Sequence, residues 1–265
     1  MTQIIPTWET ESQLVAQGAG LICGFDEVGR GALAGPVMVG CAAFQASRVG
    51  EQLPEHLRDS KMLNEKSREK LYSSLSSWPD LWAVGAASNA EIDAWGISLA
   101  LGVAALRALA QVEQQAYKAG LSLTSGSLQP SLFDEIISTD NLEPSAVSGA
   151  GDAEVPGAAP LRVFGILDGP NDYISKALDS QHAPQIAAIP QMSTQVKGDA
   201  HCASVAAASD LAKVTRDRIM EELAQQDKYA AYEWQNNKGY GTKAHREAIK
   251  KHGPSDLHRV TWRLV

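Results

Sequence analysis

A chain of 265 residues, 44% hydrophobic and 20% charged, has the composition of an ordinary globular protein with room for one large core. Its net charge of −8 argues against a general nucleic-acid coat, and no apolar run approaches the roughly 18 residues needed to span a bilayer. Cys23, Cys41 and Cys202 match no zinc spacing or disulfide framework, and the polar N-terminus lacks a signal-peptide pattern, so a reducing cytoplasm is expected.

In chain order, Leu21–Phe25 reads as a buried strand that ends in two acids, Asp26 and Glu27, followed by the turn Gly29-Arg30-Gly31. Residues 36–44 read as a second buried strand. Asn64 is a plausible N-cap for a helix over 65–75, and residues 82–87 suit a third strand. Ser88 with Glu91 makes a capping box, and Leu99, Val103, Leu106 and Ala110 recur at helical spacing to about Tyr117.

Residues 121–160 change character: they hold six acids, no Lys or Arg, and many Ser, Gly, Pro and Ala, which predicts a disordered surface insertion. Order returns with a strand over 161–168 ending at Asp168, and residues 185–189 read as another short strand. Lys197-Gly198-Asp199 leads into an alanine-rich helix over 200–223, and a further helix spans 243–251. Residues 197–265 carry twelve Lys or Arg against nine acids, so this quarter can face a polyanion locally. The order of elements implies an α/β domain with a helical C-terminal portion. Residues 1–20 are expected to form an N-terminal extension, 21–225 the main domain with 121–160 as an insertion, and 226–265 a helical C-terminal segment.

The acids are open to two readings. Asp26 and Glu27 are either a solvated strand end or half of a metal site, since clustered carboxylates suit hard cations such as Mg²⁺ or Mn²⁺. Asp168 also ends an apolar run before a glycine, and Asp199 has small neighbours. If their strands are adjacent, Asp26, Glu27, Asp168 and Asp199 hold two ions, as in nucleases and polymerases. Arg30 between glycines offers a guanidinium fork to phosphate beside bare backbone.

The motifs also carry a resemblance. Gly24-Phe25-Asp26-Glu27-Val28-Gly29-Arg30-Gly31, Asp59-Ser60-Lys61, Leu167-Asp168-Gly169, Lys197-Gly198-Asp199, Ala207-Ala208-Ser209 through Asp217, Asn237-Lys238-Gly239-Tyr240-Gly241-Thr242 with His245, and His258-Arg259 stand in order. Together they resemble prokaryotic ribonuclease HII, the type 2 ribonuclease H, over about residues 21–262 outside the insertion. The resemblance implies a ribonuclease H-like mixed sheet flanked by helices. It also implies endonucleolytic hydrolysis of RNA in RNA/DNA hybrids and incision 5′ of ribonucleotides in duplex DNA, dependent on two Mg²⁺ or Mn²⁺ ions. Its carboxylate quartet falls on Asp26, Glu27, Asp168 and Asp199.

The resemblance further implies that Gly29, Arg30 and Gly31 sense the ribose 2′-hydroxyl through backbone groups, the group that separates RNA from DNA. Tyr240 packs on the same nucleotide, and Lys61 and Lys197 contact phosphate or the active site. Lys213 is read as an ordinary surface lysine, Asp217 with Arg216 as an ion pair or cap, and His245 and His258 as structural or phosphate-facing. Asp210 is expected to be an exposed substitution. A monomer without membrane attachment is expected. Ribonuclease HIII is the nearest rival, disfavoured because residue 30 is Arg and only about twenty residues precede the first strand. A silent binder of hybrid duplex is disfavoured because all four acids are present.

Overall fold

The architecture follows from one strand buried on both faces. The computed structural model describes residues 5–54, 57, 72, 74–126 and 159–265. Six strands are present among the described residues: β1 (Leu21–Val28), β2 (Val37–Gln45), β3 (Leu81–Ala87), β4 (Leu123–Thr124), β5 (Leu161–Asp168) and β6 (Gln191–Gln195). The helices are α1 (Glu9–Ala16), α2 (Asn89–Trp95), α3 (Ile97–Lys118), α4 (Ile174–Ala177), α5 (Gly198–His201), α6 (Ala203–Ala224), α7 (Trp234–Asn237) and α8 (Lys243–His252). The sheet order is β3-β2-β1-β5-β4, with β6 also on β5. The first three strands run antiparallel, whereas β1, β4 and β6 all lie parallel to β5.

Alternation along β1 divides the core. Leu21, Cys23 and Phe25 pack with Leu101, Leu106 and Leu109 of α3, while Ile22 faces the layer of α1 and α6 with Val205 and Leu14. Covering both faces explains why β1 and β2 are nearly continuous apolar runs. Helix α6 lies close on its face because Gly24 and Gly40 carry no side chain. A Cβ at Gly24 meets the backbone of Ser204 at 2.2 Å, and one at Gly40 meets the Ala208 carbonyl oxygen at 2.3 Å.

The capping box forms as its spacing requires: the Glu91 N–H donates to Ser88 Oγ and the Ser88 N–H to Glu91 Oε2. Gly96, at φ +79°, then separates α2 from α3. The alanine-rich helix likewise divides at Cys202. Thr7 pairs there as an isolated bridge, its N–H donating to the His201 carbonyl and its own carbonyl accepting from the Ala203 N–H. The N-terminal residues thus do structural work. Glu11 on α1 is fully buried and its Oε1 accepts from both the N–H and the hydroxyl of Ser204, capping α6, which has no side-chain cap of its own.

Three sequence expectations need correction. Residues 185–189 form no strand: the Ala187 and Ala188 N–H groups donate to the Glu113 carboxylate and that of Ile189 to Ser125 Oγ. The strand paired with β5 is instead the polar Gln191–Gln195, whose partial exposure hides it from hydrophobic patterning. Asp210 is also not exposed; it is 3% accessible on α6. Residues 121–126 join the fold, with Leu123 and Thr124 paired to Leu161 and Arg162. Residues 127–158 and most of the expected 65–75 helix lie outside the described residues. Among the described residues, no helix is long and apolar enough to cross a membrane.

Because the atoms facing Gly40 are main chain, the helix must move to admit even a methyl group. Gly40→Ala is expected to cost about 1–3 kcal/mol, read as a lowered thermal midpoint by circular dichroism; an unchanged midpoint would show that α6 has slack over the sheet.

Candidate active site

The β1–β5 pairing brings two acids side by side. Phe25 registers with Leu167, so Asp26 and Asp168 follow at the same end of neighbouring parallel strands. Asp199 enters from α5 after β6, whose Gln195 registers with Asp168. A cleft of about 350 Å³ is lined by Asp26, Glu27 and Asp168 together with the Gly29-Arg30-Gly31 turn, and its wall continues through Ser209, Lys213 and Tyr240. Asp199 is buried and does not line the cleft, but its charge bears on both Asp26 and Asp168.

The acids press on one another. Burial pushes the Asp26 carboxyl well above its ordinary range, reinforced by the charges of Asp168, Glu27 and Asp199 and opposed by a hydrogen bond from Ser209. Asp168 is raised for the same two reasons, burial first and Asp199 next. Each also accepts from the main chain: the Glu27 N–H donates to Asp26 Oδ1 at 2.8 Å and the Gly198 N–H to Asp168 Oδ1 at 2.6 Å. Lys197 takes a left-handed conformation (φ 57°) that turns this N–H onto Asp168, while its own side chain is exposed.

Among the described residues, no three His, Cys, Asp or Glu side chains already close round an ion-sized point. The donor set is nevertheless all carboxylate oxygen, under mutual repulsion that a hard cation relieves. On chemistry, these residues fit Mg²⁺ or Mn²⁺.

Glu27 points to the opposite face of β1 from Asp26 and is held from two sides. Arg30 Nη1 donates to Oε1 at 3.1 Å and the Tyr173 hydroxyl to Oε2 at 3.1 Å. Tyr173 is buried at the start of α4, and burial followed by the Glu27 charge keeps its hydroxyl protonated. Sequence reasoning missed it, since a tyrosine in a connecting segment carries no spacing signal.

Two buried arginines shape the glycine turn. Gly29 has φ +78°, and a Cβ there meets Arg216 Nε at 2.1 Å. Arg216 donates to the carbonyls of Pro36, Ala34 and Lys238; Arg259 donates to those of Gly29, Arg30 and Gly35. Neither pairs with a carboxylate among the described residues, and burial lowers both, Arg259 to about 9. Arg216 is therefore not the ion-pair partner of Asp217; Lys213 is, at 2.7 Å, while it lines the cleft. The Tyr240 hydroxyl accepts the Gly29 N–H at 3.1 Å, and its ring lies 5.4 Å from the Arg216 guanidinium. Lys61 lies outside the described residues.

His245 and His258 are buried structural groups. His245 Nδ1 faces the Tyr240 carbonyl at 2.9 Å and so carries the proton. Its bare Nε2 accepts from Trp234 Nε1 and from His258 Nε2, each at 3.1 Å, and His258 Nδ1 accepts from the Ser255 N–H. Both rings are neutral in this chain of bonds, which ties the segment bearing Tyr240 to the one bearing Arg259.

A mixed sheet with helices on both faces and acids at the ends of adjacent parallel strands defines a ribonuclease H-like α/β protein. The solved ribonuclease H2 from Pyrococcus horikoshii OT3 has the same fold, with a TM-score of 0.52, 22% identity, and 92% of this chain and 94% of that one covered. The family model for ribonuclease HII matches residues 23–126 and 171–265, and the chain belongs to the ribonuclease HII family. Ribonuclease HII of Streptomyces coelicolor is 37% identical over 258 residues, covering 97% of this chain and 83% of that protein. The enzyme of Paracoccus denitrificans is 35% identical, covering 98% and 93%. The chain is thus an enzyme of the ribonuclease H endonuclease class, a nucleic-acid hydrolase.

Loss of the Tyr173 hydroxyl leaves Glu27 held from one side. Tyr173→Phe is expected to lower nuclease turnover by roughly ten-fold, the low end for loss of an orienting hydrogen bond, with little change in the thermal midpoint; an unchanged turnover would mean Glu27 needs no such support.

The histidine pair makes a separate prediction. Burial and then its neighbour lower His258 from 6.5 to about 4, and burial lowers His245. Their contribution to stability is therefore complete above the ordinary histidine value and is lost as pH falls through that window. Denaturant midpoints are expected to fall between pH 6.5 and 4, and less steeply in His258→Gln; equal slopes would place the acid sensitivity elsewhere.

Proposed function

We propose that the chain hydrolyses the RNA strand of RNA/DNA hybrids and incises on the 5′ side of ribonucleotides embedded in duplex DNA, leaving a 3′-hydroxyl and a 5′-phosphate. One observation carries this reading: Asp26, Glu27 and Asp168 share a cleft with the Gly29-Arg30-Gly31 turn and Tyr240. A group of acids fit for phosphodiester chemistry thus stands beside bare backbone and an aromatic ring fit to examine a sugar.

Asp26, Glu27, Asp168 and Asp199 are the residues that would hold two Mg²⁺ or Mn²⁺ ions. Such ions, when bound, supply Lewis-acid activation of water and charge stabilisation at the leaving 3′-oxygen. The protein's own work is positional. The Gly198 N–H orients Asp168, the Glu27 N–H orients Asp26, and Arg30 with Tyr173 sets the Glu27 carboxylate. Arg259 occupies the carbonyls of Gly29 and Arg30, so recognition of a 2′-hydroxyl falls to the turn's N–H groups and the Tyr240 hydroxyl. Arg30, half exposed at its side chain, is assigned to substrate phosphate, as are Lys197 and Lys61. Residues 226–265 serve as the substrate-contacting segment. The enzyme acts as a cytoplasmic monomer.

Purified protein is expected to nick a DNA duplex bearing one ribonucleotide on its 5′ side, in Mg²⁺ or Mn²⁺, and to spare the all-DNA duplex. Cleavage of both duplexes alike, or of neither, would sink the reading. Asp26→Asn is expected to abolish nicking while duplex affinity, followed by fluorescence anisotropy, stays within a few-fold; native-rate cutting by this variant would move the site elsewhere.

A further inference from the structure

The polar surface does not stop at the acid cleft. Arg30 also lines a second cavity of about 390 Å³, together with Tyr173, and its wall continues through Ser98, Leu99, Asn171 and Lys176. The two cavities therefore share Arg30, and Tyr173 of the second donates a hydrogen bond to Glu27 of the first. Their charge is opposite. The first gathers carboxylates, whereas no described Asp or Glu lines the second and two cations do. Asp172, adjacent in sequence, is committed elsewhere: its Oδ1 accepts the Ile174 and Ser175 N–H groups at the start of α4.

The cavity's polar groups are available. Lys176 makes no ion pair with any described residue, and it is exposed on α4. Arg30 is engaged by Glu27, but its side chain is 54% exposed, and such a pair is worth little enough to be shared or redirected. Ser98 and Leu99 belong to the first turn of α3. That helix of 22 residues begins at Gly96 with no side-chain cap and no acid in its first turn, so its N-terminal N–H groups add positive potential to the same wall. An unpaired lysine, a redirectable arginine and a helix start around one hollow suit an anion.

We propose that this cavity is a phosphodiester subsite, in which a backbone phosphate outside the linkage being cut sits between Lys176, Arg30 and the first turn of α3. A backbone phosphate is favoured over a small free anion because the cavity opens at Arg30 onto the cleft where the strand is cut. The inference rests on reading the acid cleft as the cleavage site. Lys176 is then a positioning residue that sets how the strand enters the acids. Sequence reasoning gave it no role, because one lysine on a four-residue helix has no pattern.

The test measures affinity in EDTA, where nothing is cut, for a duplex with one ribonucleotide. Lys176→Ala is expected to weaken binding by roughly ten-fold, the scale of one charged hydrogen bond, and to reduce the salt dependence by about one phosphate contact. Lys176→Arg should restore both. With Mg²⁺ present, the loss should fall on KM rather than kcat. A scan of single methylphosphonate linkages should find one position where neutralising the phosphate weakens the wild type and adds nothing in Lys176→Ala. Unchanged affinity and salt slope in Lys176→Ala would overturn the proposal. So would a variant that loses affinity for inorganic phosphate alone while binding duplex normally. Failure of the cleavage reading would instead appear as absent nicking by wild type, which the affinity measurement does not depend on.

Discussion

Helix α6 lies against the sheet at main-chain distance, and the rest of the site depends on that approach. Ser204 and Ala208 sit over Gly24 and Gly40, where no side chain holds the helix off. Once it is seated there, helical spacing distributes its other residues. Ser209 reaches Asp26, Lys213 lines the cleft, and Arg216 lies against Gly29 and donates to the carbonyls of Ala34 and Pro36 just beyond the turn. Displacing this helix would move the acid's hydrogen-bond donor, a cleft wall and the pin of the glycine turn together. The chain's N-terminal part protects the arrangement, since Glu11 caps α6 from the neighbouring helix.

Charge is sorted around this scaffold by strand alternation. Asp26 faces α6 and is pushed toward protonation by burial and its neighbours, while Glu27 faces the other way and is neutralised by Arg30 and Tyr173. The buried arginines are not spent on acids. Arg216 and Arg259 bind carbonyls instead, and Arg259 holds those of the glycine turn. Under the proposed function, a rigid backbone here would matter, because a yielding loop would fit ribose and deoxyribose alike. The neutral histidine pair extends the same logic by fastening Tyr240 and Arg259 to one buried aromatic cluster.

What was legible in the chain was local. The apolar run before Asp26, the capping box at Ser88 and Glu91, and the ordered motifs of ribonuclease HII pointed to the fold class and the family. Elements defined by their partners were not legible. Gln191–Gln195 is a strand only because β5 offers it an edge, and 185–189 is not one because Glu113 and Ser125 take its N–H groups. The break at Cys202 similarly comes from Thr7, 195 residues earlier.

The sequence by itself determined which chemistry the molecule can host, because side-chain type and short-range spacing decide propensity, donor set and family. Only the tertiary structure decided how that chemistry is arranged. It set Asp168 beside Asp26 through the β1–β5 register, sent Glu27 to Tyr173, and gave Arg216 to Pro36 and Arg259 to the glycine turn. Each of those contacts joins residues more than a hundred positions apart. Only packing against a common sheet selects such partners, and no local pattern encodes them.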